Sequence, residues 1–239
     1  MRIPTIRGII ERRILVNFRV DPDALSFVLP EPFTPQLVDG VGIAGVCLIR
    51  LAHLRPAFLP GEWGFRSENA AHRVAVKLPD GSNAVYIPRR DTNSRLNVLV
   101  GGRLFPGAHH HADFTSVETG GRFDVTMRSD DGETRLAVES AVGEGLPDNS
   151  VFASLAEASS FFEAGSLGFS DTREGGCFDG LELRTDQWQV SPLDVSRVES
   201  SFFDDRSSFP RGVVEFDNAL LMRDIDHEWH TRASLRAAD

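Results

Sequence analysis

Residues 70–88 read Ala-Ala-His-Arg-Val-Ala-Val-Lys-Leu-Pro-Asp-Gly-Ser-Asn-Ala-Val-Tyr-Ile-Pro. Two runs rich in apolar and β-branched residues, Ala70–Leu78 and Ala84–Pro88, flank Pro79-Asp80-Gly81-Ser82. Asp bonds its own backbone two residues on, and Gly accepts the positive φ that a tight reversal needs, so the stretch predicts a β-hairpin. On the N-terminal side, residues 9–20 nearly alternate from Arg13 on and predict a strand. Asp21-Pro22 supplies a cap and a first-turn proline for a short helix carrying Ala24, Leu25, Val28 and Leu29, which Pro30 and Pro32 end. Residues 36–53 read as a strand buried on both faces near Ile43–Ile49, and residues 55–66, with two prolines and two glycines, as loop. On the C-terminal side Arg95–Val100 is an apolar segment, and Gly101-Gly102 and Gly107 suggest tight backbone. His109–Thr115, Arg122–Arg128 and Thr134–Val142 predict strands, the last two joined by Asp130-Asp131-Gly132. Ser154-Leu155-Ala156-Glu157 is a capping box that opens a second helix, stopped by Gly165. Leu181–Val190, Val195–Phe203 and Val213–Met222 are the closing strands. The expected class is α+β, mostly antiparallel β, with two short helices. No Pro- or Ser-rich linker divides the chain, so a single domain over residues 1–239 is expected.

Composition narrows the function. Hydrophobic residues make up 41% and charged residues 25% of the 239, an ordinary globular balance that excludes wholesale disorder. The net charge of −10 argues against nucleic acid or an anionic membrane as partner, because both need a basic face. The longest apolar stretch, Val41–Leu51, is broken by glycines and Arg50 and is far shorter than the roughly 20 residues of a membrane span. With no signal peptide at the N-terminus, a cytoplasmic location is expected. All 25 basic residues except Lys77 are arginine, so any Schiff-base mechanism would have to use Lys77. Cys47 and Cys177 are too few for a disulfide scaffold, and Cys47, in an apolar strand, reads as core rather than nucleophile.

Four places carry candidate chemistry. His109-His110-His111 follows a Gly-rich turn; on a strand His109 and His111 share a face and His110 takes the other. Such imidazoles serve either as acid/base groups or, for His109 and His111, as metal ligands; exposed strand-edge histidines are the plain alternative. Glu68-Asn69 stands at a strand mouth, where a carboxylate is a general base or a surface acid, and nearby His72 fits packing against the sheet better than ligation. Asp226-His227-Glu228-Trp229-His230 has an H-x-x-H spacing that would chelate a metal on a helix and scatter its side chains on a strand. Arg89, Arg90, Arg95 and Arg103 form an arginine-rich zone fit to clamp a carboxylate or phosphate, or to pair with the protein's own acids. No nucleophile-elbow or P-loop motif is present.

Arg12-Arg13, the segment from Asp21 to Phe33, Ser67-Glu68-Asn69, Tyr86-Ile87-Pro88-Arg89-Arg90-Asp91, Gly102-Arg103-Leu104-Phe105-Pro106-Gly107 and the histidine triplet together resemble the uncharacterised YqjF-like family over nearly the whole chain. That family is similar, at a distance, to acetoacetate decarboxylase. The resemblance implies a curved, barrel-like antiparallel sheet with a buried pocket, and a homo-oligomer. It places the decarboxylase's Tyr-x-Glu on Arg66-Ser67-Glu68, its first-strand arginine on Arg12 or Arg13, and its Gly-Arg-Glu on Gly102-Arg103-Leu104, where the acid is lost. Its lysine pair falls on the histidine triplet, and histidine has no primary amine to form an imine.

The expectation is therefore a small-molecule pocket, with a lyase, isomerase or hydrolase activity on a small organic acid by Glu/His proton transfer, without Schiff-base chemistry, as the first reading. Glu68, His110, His111 and Arg103 are the expected catalytic set; Arg13, Asn69, Tyr86 and His109 the expected substrate-binding set. The expected partner is a small carboxylate-bearing molecule, and no cofactor is expected. A non-catalytic binding protein is the first alternative, and a metal site at His109 and His111 the second.

Overall fold

The structure, a computed structural model, describes residues 4–61, 64–100 and 106–237. In chain order the elements are β1 (Ile6–Val20), α1 (Pro22–Val28), β2 (Thr34–Pro35), β3 (Leu37–Val38), β4 (Val41–Pro56), β5 (Phe65–Lys77), β6 (Asn83–Thr92), α2 (Arg95–Val100), β7 (His109–Thr119), β8 (Arg122–Ser129), β9 (Arg135–Val142), α3 (Leu155–Ala164), β10 (Leu167–Asp171), β11 (Cys177–Arg184), β12 (Ser191–Ser200) and β13 (Val214–Arg236). The hairpin expected over residues 70–88 is β5–β6, with Lys77 opposite Asn83. Asp21 caps α1, its side chain accepting from the N–H groups of Asp23 and Ala24 at 2.9 and 3.1 Å. The capping box at α3 also forms: Ser154 Oγ accepts from Glu157 N at 3.1 Å, and Glu157 reaches back to Ala153 N at 2.9 Å.

Strands β13, β1, β4, β5 and β6 pair antiparallel in that order and make a five-stranded floor. Two routes lead from β6 back to β13. The short one runs through β10 and β11, the long one through β7, β8, β9 and β12. The sheet is thus ring-like, and it rings twice over one floor. Its two parallel pairings both fall on β6, with β10 at Val85–Tyr86 and with β7 at Arg90–Thr92.

The floor has two faces, and side-chain alternation assigns a separate core to each. Ile14, Val16, Leu48, Val74 and Tyr86 face the long route and pack with Phe123, Val125 and Val138. Leu15, Cys47, Ile49 and Ala75 face the short route and pack with Phe152, Phe162 and Leu183. Each large side chain so buried contributes roughly 1.5–3 kcal/mol.

Several local expectations are corrected. Three helices, not two, occur among the described residues: Arg95–Val100 forms α2, whose start is fixed by Ser94 Oγ accepting from Asn97 N at 3.2 Å. The 55–66 loop is shorter than expected, because β4 runs on to Pro56 and β5 begins at Phe65. The strand expected over 181–190 stops at Arg184, and the one expected over 195–203 is shifted to 191–200. Phe203 then lies in a turn, its ring 4.7 Å from that of Phe18. The last strand runs far past Met222 because it changes partners, from β12 to β11. Asp226–His230 lies within that strand, so His227 and His230 point to opposite faces and cannot act as a helical chelating pair. No helix among the described residues is long and apolar enough to cross a membrane.

Candidate functional site

The short-route face is incompletely filled. Ala71 and Ala75 on β5, with Gly165 and Gly168 beyond β6, line a cavity of about 110 Å³, where one water needs roughly 10–15 Å³. Its walls are mainly apolar, with Leu15, Ile49, Ile87, Phe161, Phe162, Leu181 and Leu183. Into it come three arginines, Arg13 from β1, Arg73 from β5 and Arg90 from β6, together with Asn69, Cys47 and His109.

The arginines hold unusual company. Arg13 Nε donates to Cys47 Sγ at 3.2 Å, and its guanidinium lies 5.6 Å from the Trp188 ring centroid. Arg73 is 5% exposed, bonds the side-chain carbonyl of Asn17 and stacks 4.8 Å from the Phe162 ring centroid. Its Nε has no partner. Arg90 Nε donates to Ser170 Oγ at 3.3 Å. Among the described residues none of the three forms an ion pair with a carboxylate. Burial pushes both Arg73 and Arg90 down to about 10, with the Cys47 sulfur partly offsetting it. Asp91 touches the cavity but is spent on Arg89, at 2.9 Å, and on the Thr134 hydroxyl, at 3.2 Å.

His109 is placed by Gly107, whose φ of 82° lies in the region that favours glycine. The Gly107 carbonyl lies 3.3 Å from His109 Nδ1 and can only accept, so the neutral ring carries its proton there and its basic lone pair on Nε2. Burial first, and then Arg90, push the imidazole down to about 3, so the ring is neutral at physiological pH.

The residues singled out from sequence are divided by the strand pleat. Arg13, Asn69 and His109 come together in the cavity. Glu68, one residue before Asn69, faces the opposite side of β5. There it accepts from Arg12 at 2.7 Å and from Arg50 at 2.6 Å, and Glu118 joins the cluster 2.8 Å from Arg12. Of the two first-strand arginines, Arg12 belongs to this buried cluster and Arg13 to the cavity. Tyr86 also faces away, donating its hydroxyl to Asp171 at 2.5 Å beside Phe33; burial and that hydrogen bond push its phenol well up. His110 and His111 meet Asp131 at 3.0 Å and Asp130 at 2.8 Å in the β8–β9 turn. Arg103 lies outside the described residues. His72 is fully buried and stacks on Phe202 at 4.4 Å. Among the described residues no group of three metal-binding side chains is placed to hold an ion.

Sequence reading gave Arg73 no role and saw Arg90 only as part of a charged zone. The available signal was the period of two: Asn69, Ala71, Arg73 and Ala75 share a face, with small residues where a hollow forms.

The ring-like, mostly antiparallel sheet is the fold of the acetoacetate-decarboxylase-like proteins. The structure is similar to acetoacetate decarboxylase from Legionella pneumophila, with a TM-score of 0.64, 10% identity, and coverage of 97% of this chain and 88% of that one. It is similar to an acetoacetate decarboxylase-like enzyme from Sphingomonas wittichii, with a TM-score of 0.58, 12% identity, and coverage of 100% and 94%. It is also similar to the enduracididine biosynthesis enzyme MppR complexed with pyruvate, with a TM-score of 0.57, 13% identity, and coverage of 100% and 92%. At such identities the likeness shows the fold. The chain itself belongs to the DUF2071 family, an uncharacterized conserved protein, whose model matches residues 10–210. None of the curated proteins matches this sequence.

Proposed function

We propose that this protein takes a small carboxylate-bearing molecule into the cavity and acts on it by proton transfer through His109, without Schiff-base chemistry. The observation that carries the reading is the set of cavity guanidinium groups that, among the described residues, form no ion pair with a carboxylate. A buried unpaired cation is costly, and a ligand carboxylate relieves that cost through charge-assisted hydrogen bonds. One structural neighbour is described in complex with pyruvate, a small 2-oxo acid. Imine formation is disfavoured because the lone lysine, Lys77, is exposed at the hairpin and donates to Gly81 O at 3.4 Å. The placement of Glu68 supports His109 alone, rather than a Glu/His pair, as the proton-transfer group.

The roles follow from position. Arg13 anchors the carboxylate and Asn69 adds a polar contact; the bound carboxylate offsets Arg90 and so raises the proton affinity of His109, whose Nε2 then takes a proton from the carbon next to a ligand carbonyl and returns it. The test is deuterium exchange at that carbon, followed by NMR in D2O on a panel of 2-oxo acids. Exchange is expected with the wild type and is lost in His109→Gln. Binding that disappears in Arg13→Met, with no exchange for any compound, supports the non-catalytic reading instead. No binding of any carboxylate overturns the proposal.

A further inference from the structure

We infer that the ligand of this cavity is a dicarboxylate, with its two carboxylates separated by a short hydrocarbon. The inference rests on the carboxylate-binding reading above and extends it from one anionic group to two.

The charge count comes first. One carboxylate neutralises one of the three cavity arginines and leaves two cations in an apolar enclosure. Arg73 is the decisive one. It is 5% exposed, its Nε lacks a partner, and it stands deeper than Arg13, against Phe162 and Asn17. Burial lowers the proton affinity of both Arg73 and Arg90, which is the signature of cations awaiting a counter-charge.

Placement across the floor comes second. Cys47, Ala71, Arg90 and His109 lie in one row across β4, β5, β6 and β7. Arg13 stands on β1 opposite Ile49, one step to one side of that row, and Arg73 on β5 opposite Gly45, one step to the other. From β1 to β6 is three strand spacings, about 14 Å between backbones. The three long side chains therefore enter the cavity from three separate strands, on either side of Ala71.

The lining favours a dicarboxylate over a compact dianion such as phosphate. Phosphate sites commonly gather backbone N–H groups at a helix N-terminus. Here Leu15, Ile49, Ile87 and Leu183 line the same cavity as the cations, fitting methylene groups. The overall charge of −10 makes this cationic interior stand out further.

The experiment is calorimetric titration of the purified full chain at pH 7.5 with acids matched in length: butanoate against butanedioate, pentanoate against pentanedioate, and inorganic phosphate. Each diacid is expected to bind at least about tenfold tighter than its monoacid, the scale of one charge-assisted contact. Arg73→Met and Arg90→Met are each expected to remove most of that preference; the wild-type comparison decides the matter even if a variant does not fold. Equal binding of mono- and diacids overturns this inference and leaves the carboxylate reading standing. Phosphate binding tighter than either diacid overturns it in favour of a compact dianion. Failure of every carboxylate to bind overturns the proposed function as well.

Discussion

Arg12 and Arg13 adjoin in the chain and sit on opposite faces of the same floor. Arg12 is 1% exposed and held by Glu68 and Glu118 at 2.7 and 2.8 Å. Arg13 is half-buried and keeps company with the sulfurs of Cys47 and Met222 and the Trp188 indole ring, with no carboxylate among the described residues paired to it. The same split recurs at Glu68 and Asn69 and at Arg89 and Arg90, where Arg89 is surrounded by Asp91, Asp131 and Glu133 while Arg90 enters the cavity. One face has its charges satisfied from within and is packed with phenylalanine. The other keeps its charges unmatched and its centre small. A strand pleat that alternates every residue thus lets one β-strand serve a packed core and line a cavity at once.

Removing the paired member of each couple is the hardest test of this division. Arg12→Met leaves two carboxylates short of a partner and is expected to cost about 3–5 kcal/mol in urea unfolding. Arg13→Met should change stability by less than about 1 kcal/mol and weaken carboxylate binding at least about tenfold. If the two stability effects are reversed, the division of labour is wrong. Next in size come two neighbouring alanines. Ala70 is 1% exposed in the packed core, so Ala70→Leu should cost about 1–3 kcal/mol through overpacking. Ala71→Leu fills the hollow instead; its stability should hold or rise slightly while ligand binding disappears, read by thermal shift and titration.

Acid sharpens the comparison with a smaller effect. Burial is the main cause that lowers His72 and His109 to about 3 and His227 to about 4, from an ordinary 6.5. Below pH 6.5 the unfolded chain takes up protons on these rings that the folded chain refuses. Stability should therefore fall as the pH drops from about 6.5 toward 4. His72→Phe, on the packed face, should flatten that slope in urea titrations; an unchanged slope would sink this account. The smallest effect belongs to the surface: His111→Asn breaks only a 2.8 Å contact with Asp130 and should change stability by less than about 1 kcal/mol, with no change in binding.

Much of the fold was legible because it rests on local rules. The hairpin at Pro79–Ser82, the Asp21 cap and the Ser154 capping box each satisfy their own backbone groups within a few residues. What was not legible was strand length. β13 outruns its expected end because β11 takes over the edge that β12 leaves, and pairing partners that far apart leave no local mark. The site was half legible. Arg13, Asn69 and His109 were singled out and meet, whereas Glu68, with the stronger chemical claim, sits one pleat away. Placing Glu68 required knowing which face encloses a hollow.

The sequence by itself determined the strand and turn content, the helix caps, the single lysine, and the alternation that separates Arg12 from Arg13. Only the tertiary structure decided which of the two faces became a cavity. That choice depends on Ala71 and Ala75 lining one hollow with Gly165 and Gly168, residues nearly a hundred positions on, brought together by long-range pairing. Volume left empty is a property of facing surfaces, and no single stretch of chain contains both.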